Sequence, residues 1–112
     1  MKHRLGKVNS LIQEELGKIL LREMEFEGAL VTVTEAEAGK NMDTALVRVS
    51  VLPSEKSAEV LRVLSGRRNY LQNLLADKII LRPMPKIIFE IDRGLERAAE
   101  VEKLLLKDKI GE

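Results

Sequence analysis

Leu5, Val8, Leu11, Ile12, Leu16, Ile19 and Leu20 recur at the three- and four-residue spacing of one helical face. Lys7, Gln13, Glu14, Lys18 and Arg22 occupy the opposite face, so the pattern predicts a long amphipathic helix. Glu25-Phe26-Glu27-Gly28 ends it. Ala29 to Ala36 is rich in β-branched residues and alternates, which predicts a strand. Gly39-Lys40-Asn41-Met42-Asp43 has the composition of a turn. Ala45, Val47, Val49 and Val51 then alternate with Leu46, Arg48 and Ser50 as a second strand, and the short connection predicts an antiparallel hairpin.

The helical period returns after Pro53-Ser54-Glu55, where Ser54 is placed as an N-cap. Val60, Leu61 and Leu64 share one face, and Leu71, Leu74, Leu75 and Lys78 resume the spacing. Between them Ser65-Gly66-Arg67-Arg68-Asn69 interrupts with residues that are not the strongest helix formers. Gly66 and Asn69 readily take a left-handed backbone, so a kink is expected there. Arg82-Pro83-Met84-Pro85 stops the second half, because proline removes a donor and restricts its predecessor. Ile87 to Asp92 reads as a third strand. From Gly94 onward, Leu95, Ala98, Val101, Leu104 and Leu105 read as a C-terminal helix. The order predicts an α+β fold with helices on one face of a three-stranded sheet.

Composition narrows the class. The 112 residues suit a single domain, 1–112, and only three aromatics among them make the core aliphatic. Cysteine is absent, which fits a reducing, cytoplasmic setting and excludes thiolate metal sites. No apolar run approaches a membrane span or a signal h-region.

The net charge of +1 conceals strong patterning. Residues 1–22 carry a net +3, residues 23–43 a net −5, residues 62–86 a net +5 and residues 87–112 a net −2. Such asymmetry within one small domain points to an electrostatic face. A helix that restarts after a kink exposes unbonded N–H groups that attract anions, and Arg67 and Arg68 lie in this bend. The expected anion is a nucleic-acid phosphate. Helix-kink-helix elements that hold a backbone are the working part of KH-type RNA-binding domains.

The candidate RNA-binding residues are therefore Arg62, Arg67, Arg68, Asn69, Lys78, Arg82 and Lys86, with Arg4 and Lys7 as a basic arm. Arg82 has a competing role in satisfying carbonyls at a helix C-terminus. Tyr70 can stack on a base, but the preferred reading packs its ring on the core with the hydroxyl wet. His3 is the only histidine and has no assigned role. Glu35 and Glu37 share a strand face, with no further ligand spacing to make a metal site. A nucleophile with its base needs more than this inventory offers, and no phosphate-loop or dinucleotide fingerprint is present, so an enzyme is not expected.

Taken in order and spacing, several segments resemble the ribosome-binding factor A family. They are Leu16-Gly17-Lys18-Ile19-Leu20, Val31-Thr32-Val33-Thr34, Ala45 to Leu52 and Tyr70-Leu71-Gln72-Asn73-Leu74-Leu75. Leu81-Arg82, Pro85-Lys86-Ile87-Ile88-Phe89 and Asp92 continue the likeness, which covers about residues 4–106. The resemblance implies a type II KH-like fold and a cytoplasmic factor for maturation of the 30S ribosomal subunit. It implies binding to 16S rRNA, support for late processing of its 5′ end, no cofactor, no membrane and a monomer. The family's Ala-x-Gly kink falls on Arg67-Arg68-Asn69, where Asn69 is expected to supply the kink conformation. Gly66-Arg67-Arg68-Asn69 also reads as an altered Gly-x-x-Gly loop. The hairpin turn and the turn before the first strand depart from the family pattern as well. The alternatives are a KH-like domain with another RNA target, or a protein-interaction module using the acidic 23–43 stretch or the C-terminal helix.

Overall fold

Seven elements follow one another in a computed structural model that describes residues 2–81 and 83–94, with side chains from Gly6 onward. They are helix α1 (Lys2–Glu23), strands β1 (Leu30–Ala38) and β2 (Thr44–Leu52), a 3-10 turn (Ser54–Lys56), helices α2 (Ser57–Gly66) and α3 (Arg68–Lys78), and strand β3 (Lys86–Ile91). The predicted order as far as the third strand and the α+β class hold. The expected C-terminal helix from Gly94 onward and the assigned role of Arg82 fall outside the described residues, as does the side chain of Arg4.

The sheet order is β1-β2-β3, with β1–β2 antiparallel and β2–β3 parallel. The return through two helices before β3 is the crossover that a parallel neighbour requires. Strict alternation along β2 sends Ala45, Val47, Val49 and Val51 into the core. Ile87 and Phe89 of β3 join them, as do Val33, Ala36 and Ala38 of β1. Those β1 positions are not evenly spaced. Val33 pairs with Val49 but Glu35 pairs with Arg48, so Thr34 is the extra residue of a β-bulge. The bulge turns Glu35 and Glu37 to the open face, and the half-buried Thr34 donates its hydroxyl to Asp92 Oδ2 at 2.6 Å.

α1 buries Ile12, Leu16, Ile19 and Leu20 against the sheet, a stripe of spacing four, three and one. Gln13 departs from its expected place on the polar face. It is half-buried, and its amide donates to the Thr34 carbonyl at 3.1 Å. Asn9, one turn earlier, accepts from the Ala38 N–H at 2.8 Å. Together they cover backbone groups on the margin of β1 that has no neighbouring strand among the described residues.

One turn reading is corrected. Ser54 is not an N-cap; it lies inside the 3-10 turn that follows Pro53, and no side chain caps it. The α-helix proper begins at Ser57, which is buried, so the 3-10 turn supplies the entry that a cap would otherwise make. The expected turn between β1 and β2 is present, and within it Met42 has a positive φ (59°). Its side chain packs partly against the core, which holds an uncommon backbone conformation in place.

Candidate nucleic-acid interface

The junction of α2 and α3 is built from the inside outward. Leu64 and Leu71 are fully buried, one on each side of it, and pin both helices to the core. The chain between them must then face solvent, and Ser65, Gly66, Arg67, Asn69 and Tyr70 are exposed. The break is a single residue, Arg67, at φ −102° and ψ 10°. This is the sparsely populated bridge region, open to any residue type. Gly66 is helical with negative φ, and Asn69 lies within the first turn of α3. Neither uses a left-handed backbone, so the expected role of Asn69 in supplying the kink is overturned. A bridge-region residue bends the helix enough without one.

The Arg67 N–H donates to the Val63 and Leu64 carbonyls at 3.0 and 3.2 Å, and its carbonyl accepts from Leu71 N–H at 3.0 Å. α2 therefore ends and α3 begins within one residue. Among the described residues no side chain caps the start of α3, where Arg67 and Arg68 stand side by side. Helix N-termini of this kind attract anions.

The arginines differ in their attachments. Arg67 lies over the Tyr70 ring at 4.8 Å from its centroid. The Tyr70 hydroxyl donates to Glu23 Oε1 at 2.8 Å, so the tyrosine is exposed and bridges to α1, not packed into the core with a wet hydroxyl. Glu23 Oε2 accepts from Arg22 Nε at 2.9 Å. That hydrogen bond, then the one from Tyr70, holds the Glu23 carboxyl below the usual glutamate range, and the bond to Glu23 pushes the Tyr70 phenol up. Arg68 is half-buried and its Nη1 faces Gln72 Oε1 at 3.5 Å. The same oxygen accepts from the Ile87 N–H at 3.1 Å, which ties α3 to the outer edge of β3.

Of the expected residues, the structure brings Arg67, Arg68 and Asn69 together at the elbow. Arg62 is exposed on α2 a turn and a half earlier. Lys86, exposed at the start of β3, is joined to the elbow through Ile87, Gln72 and Arg68. Lys78 is exposed in the last turn of α3, about 15 Å from Arg68 at 1.5 Å per residue. Lys7 lies sixteen residues before Glu23 along α1, about 24 Å on the same rise. Lys7 and Lys78 are therefore remote from the elbow. Arg22, Glu23 and Gln72 escaped the sequence reading. Arg22 had a signal, since it closes the basic 1–22 stretch, but its proximity to Tyr70 is purely tertiary.

The open face of the sheet has a different character. Arg48 Nη1 lies 2.7 Å from Glu35 and 3.5 Å from Glu37, and its Nε lies 3.9 Å from Glu90. The paired carboxylates read from the alternation are thus engaged by a guanidinium.

An α-β-β-α-α-β order, with a three-stranded sheet and an uncapped basic elbow between consecutive helices, defines a KH-like domain. The chain belongs to the ribosome-binding factor A family, whose profile matches residues 4–105. Among its relatives, ribosome-binding factor A of Chlorobaculum tepidum is 39% identical over 108 residues, covering 94% of this chain and 90% of that protein. The Akkermansia muciniphila protein of the same name is 32% identical over 105 residues, covering 94% and 84%. The crystal structure of ribosome-binding factor A from Thermus thermophilus superposes with a TM-score of 0.68 at 22% identity, covering 80% of this chain and 97% of that one. A homology model of the Thermus thermophilus protein, fitted into a cryo-electron microscopy map of a 30S–RbfA complex, superposes with a TM-score of 0.66 at 24% identity, covering 76% and 91%.

Proposed function

We propose that this chain is a 30S assembly factor that binds 16S rRNA through the α2–α3 elbow and supports late maturation and 5′-end processing. It acts in the cytoplasm as a monomeric domain of residues 1–112, by occupancy and not by catalysis. The observation that carries the reading is the elbow itself. Two arginines sit at an uncapped helix N-terminus, forced outward by Leu64 and Leu71, in a chain of the ribosome-binding factor A family. Contacts of this kind position a protein on a backbone without reading bases. A relative of this chain has been fitted into a map of its complex with the 30S subunit, which supports the same partner here.

A purely protein-docking role for the acidic 23–43 stretch is less well supported, because Glu23, Glu35 and Glu37 are engaged within the molecule. Co-sedimentation with purified 30S subunits across a salt series tests the proposal. Binding should weaken with a log–log slope of roughly −0.7 to −0.9 per neutralised phosphate. Arg67→Glu with Arg68→Glu should abolish it while leaving the circular dichroism spectrum unchanged. Full binding by the folded double variant would move the site elsewhere.

A further inference from the structure

We infer that Arg22, the Tyr70 hydroxyl and Arg67 form one phosphodiester site at the junction of α1 and α3, and that Glu23 is its resident occupant in the free protein. The inference rests on the RNA-binding reading above and adds to Arg67 two groups outside its expected residues, Arg22 and the Tyr70 hydroxyl. Two donors from different elements already converge on one anion. Arg22 Nε reaches Glu23 Oε2 at 2.9 Å, and the Tyr70 hydroxyl reaches Oε1 at 2.8 Å. A carboxylate and a phosphodiester are both monoanions that present two terminal oxygens, so donors aimed at one suit the other.

Charge favours the exchange. The cluster sets two guanidiniums, Arg22 and Arg67, against the single Glu23 carboxylate, and Arg67 covers the Tyr70 ring at 4.8 Å without an ion pair among the described residues. The site is thus net positive with its own acid in place. Opening it is cheap, because Arg22 is half exposed and ion pairs at such positions contribute little. A swung-out Glu23 is rehydrated. The site is also continuous with the elbow, since Tyr70 lies in the first turn of α3 beside Arg68 and Asn69. One RNA strand passing the start of α3 would meet Arg22 next.

The sign of a single substitution decides between an occupant and a mere support. Glu23→Gln keeps an oxygen for the Tyr70 hydroxyl and removes the charge. If Glu23 competes with phosphate, this variant binds a labelled mixed-sequence single-stranded RNA about three- to tenfold more tightly at low salt. Its log–log salt slope steepens by roughly 0.7, the contribution of one further phosphate contact on a single strand. Arg22→Gln added to Glu23→Gln removes the gain.

If Glu23 only supports Tyr70, Glu23→Gln binds equally or more weakly with an unchanged slope, and the inference falls. The Arg67→Glu, Arg68→Glu variant in the same assay separates the two readings. Loss of binding there with no gain from Glu23→Gln overturns the occupant alone, whereas binding that ignores the reversal overturns the elbow reading as well.

Discussion

Arg48 and Arg67 are two arginines of one small domain with opposite fates. On the open sheet face, Arg48 sits among Glu35, Glu37 and Glu90, with its nearest carboxylate oxygen at 2.7 Å. At the elbow, Arg67 lies over an aromatic ring, and among the described residues it meets no carboxylate within ion-pair distance. The difference lies in what the backbone places opposite each side chain. Antiparallel register sets Glu35 across from Arg48 and parallel register sets Glu90 there, so the sheet neutralises its own cation. Among the described residues the elbow has no facing strand, so no cross-strand carboxylate is set opposite Arg67. Charge counted along the sequence cannot separate these cases, since each arginine adds one unit to its segment.

The largest way to break this contrast is to remove what forces the elbow outward. Leu71→Ala or Leu64→Ala should lower stability by about 2–5 kcal/mol in urea denaturation, because each deletes fully buried methyl groups beside the bend. RNA affinity should fall with it as the arginines lose their fixed orientation.

Gln72→Ala should cost about 1 kcal/mol by the same measurement, through the hydrogen bond it makes to the Ile87 N–H. Salt dependence of RNA binding should change little, since no charge is lost. A full loss of binding would place the β3 edge, not the elbow arginines, at the centre of recognition.

Arg48→Met sharpens the other half of the comparison. Without the guanidinium, Glu35, Glu37 and Glu90 are left as like charges around one position. That repulsion is present while the carboxylates are ionised and vanishes once acid neutralises them. The variant should therefore melt below the parent at neutral pH and approach it in acid, while RNA binding stays close to the parent's. A matching loss of RNA binding would show that the sheet face also takes part.

The smallest effect is spectroscopic. The chain has one tyrosine and no tryptophan, so alkaline absorbance reports Tyr70 alone. Its phenol should titrate above the ordinary tyrosine value because it donates to the Glu23 carboxylate. The raised value means that this bond contributes below the unfolded pKa and is lost as pH climbs through the folded one. In Glu23→Gln the titration should return toward normal.

The order of elements, the aliphatic core and the position of the elbow were legible, because periodicity reports which face of each element is buried. Val47 and Val49, or Leu64 and Leu71, carry that signal in their spacing. The mechanism of the bend was not legible. Gly66 and Asn69 advertise a left-handed turn, yet the chain bends at Arg67 through a conformation that needs neither. The roles of Asn9, Gln13 and Gln72 were hidden for a different reason. Each bonds to backbone groups at least fifteen residues away, and backbone carries no residue-type signature for a sequence to display.

The placement of α1 beside β1 also governs how this protein behaves in a crowd of its own copies. A bare strand margin is a template on which another chain can dock as an added strand and propagate into aggregates. Asn9 and Gln13 occupy the Ala38 N–H and the Thr34 carbonyl on that margin, so an incoming strand would first have to displace a helix packed through Ile12 and Leu16. Two amide side chains one turn apart, on the same helix that closes the core, thus guard part of that margin against an added strand.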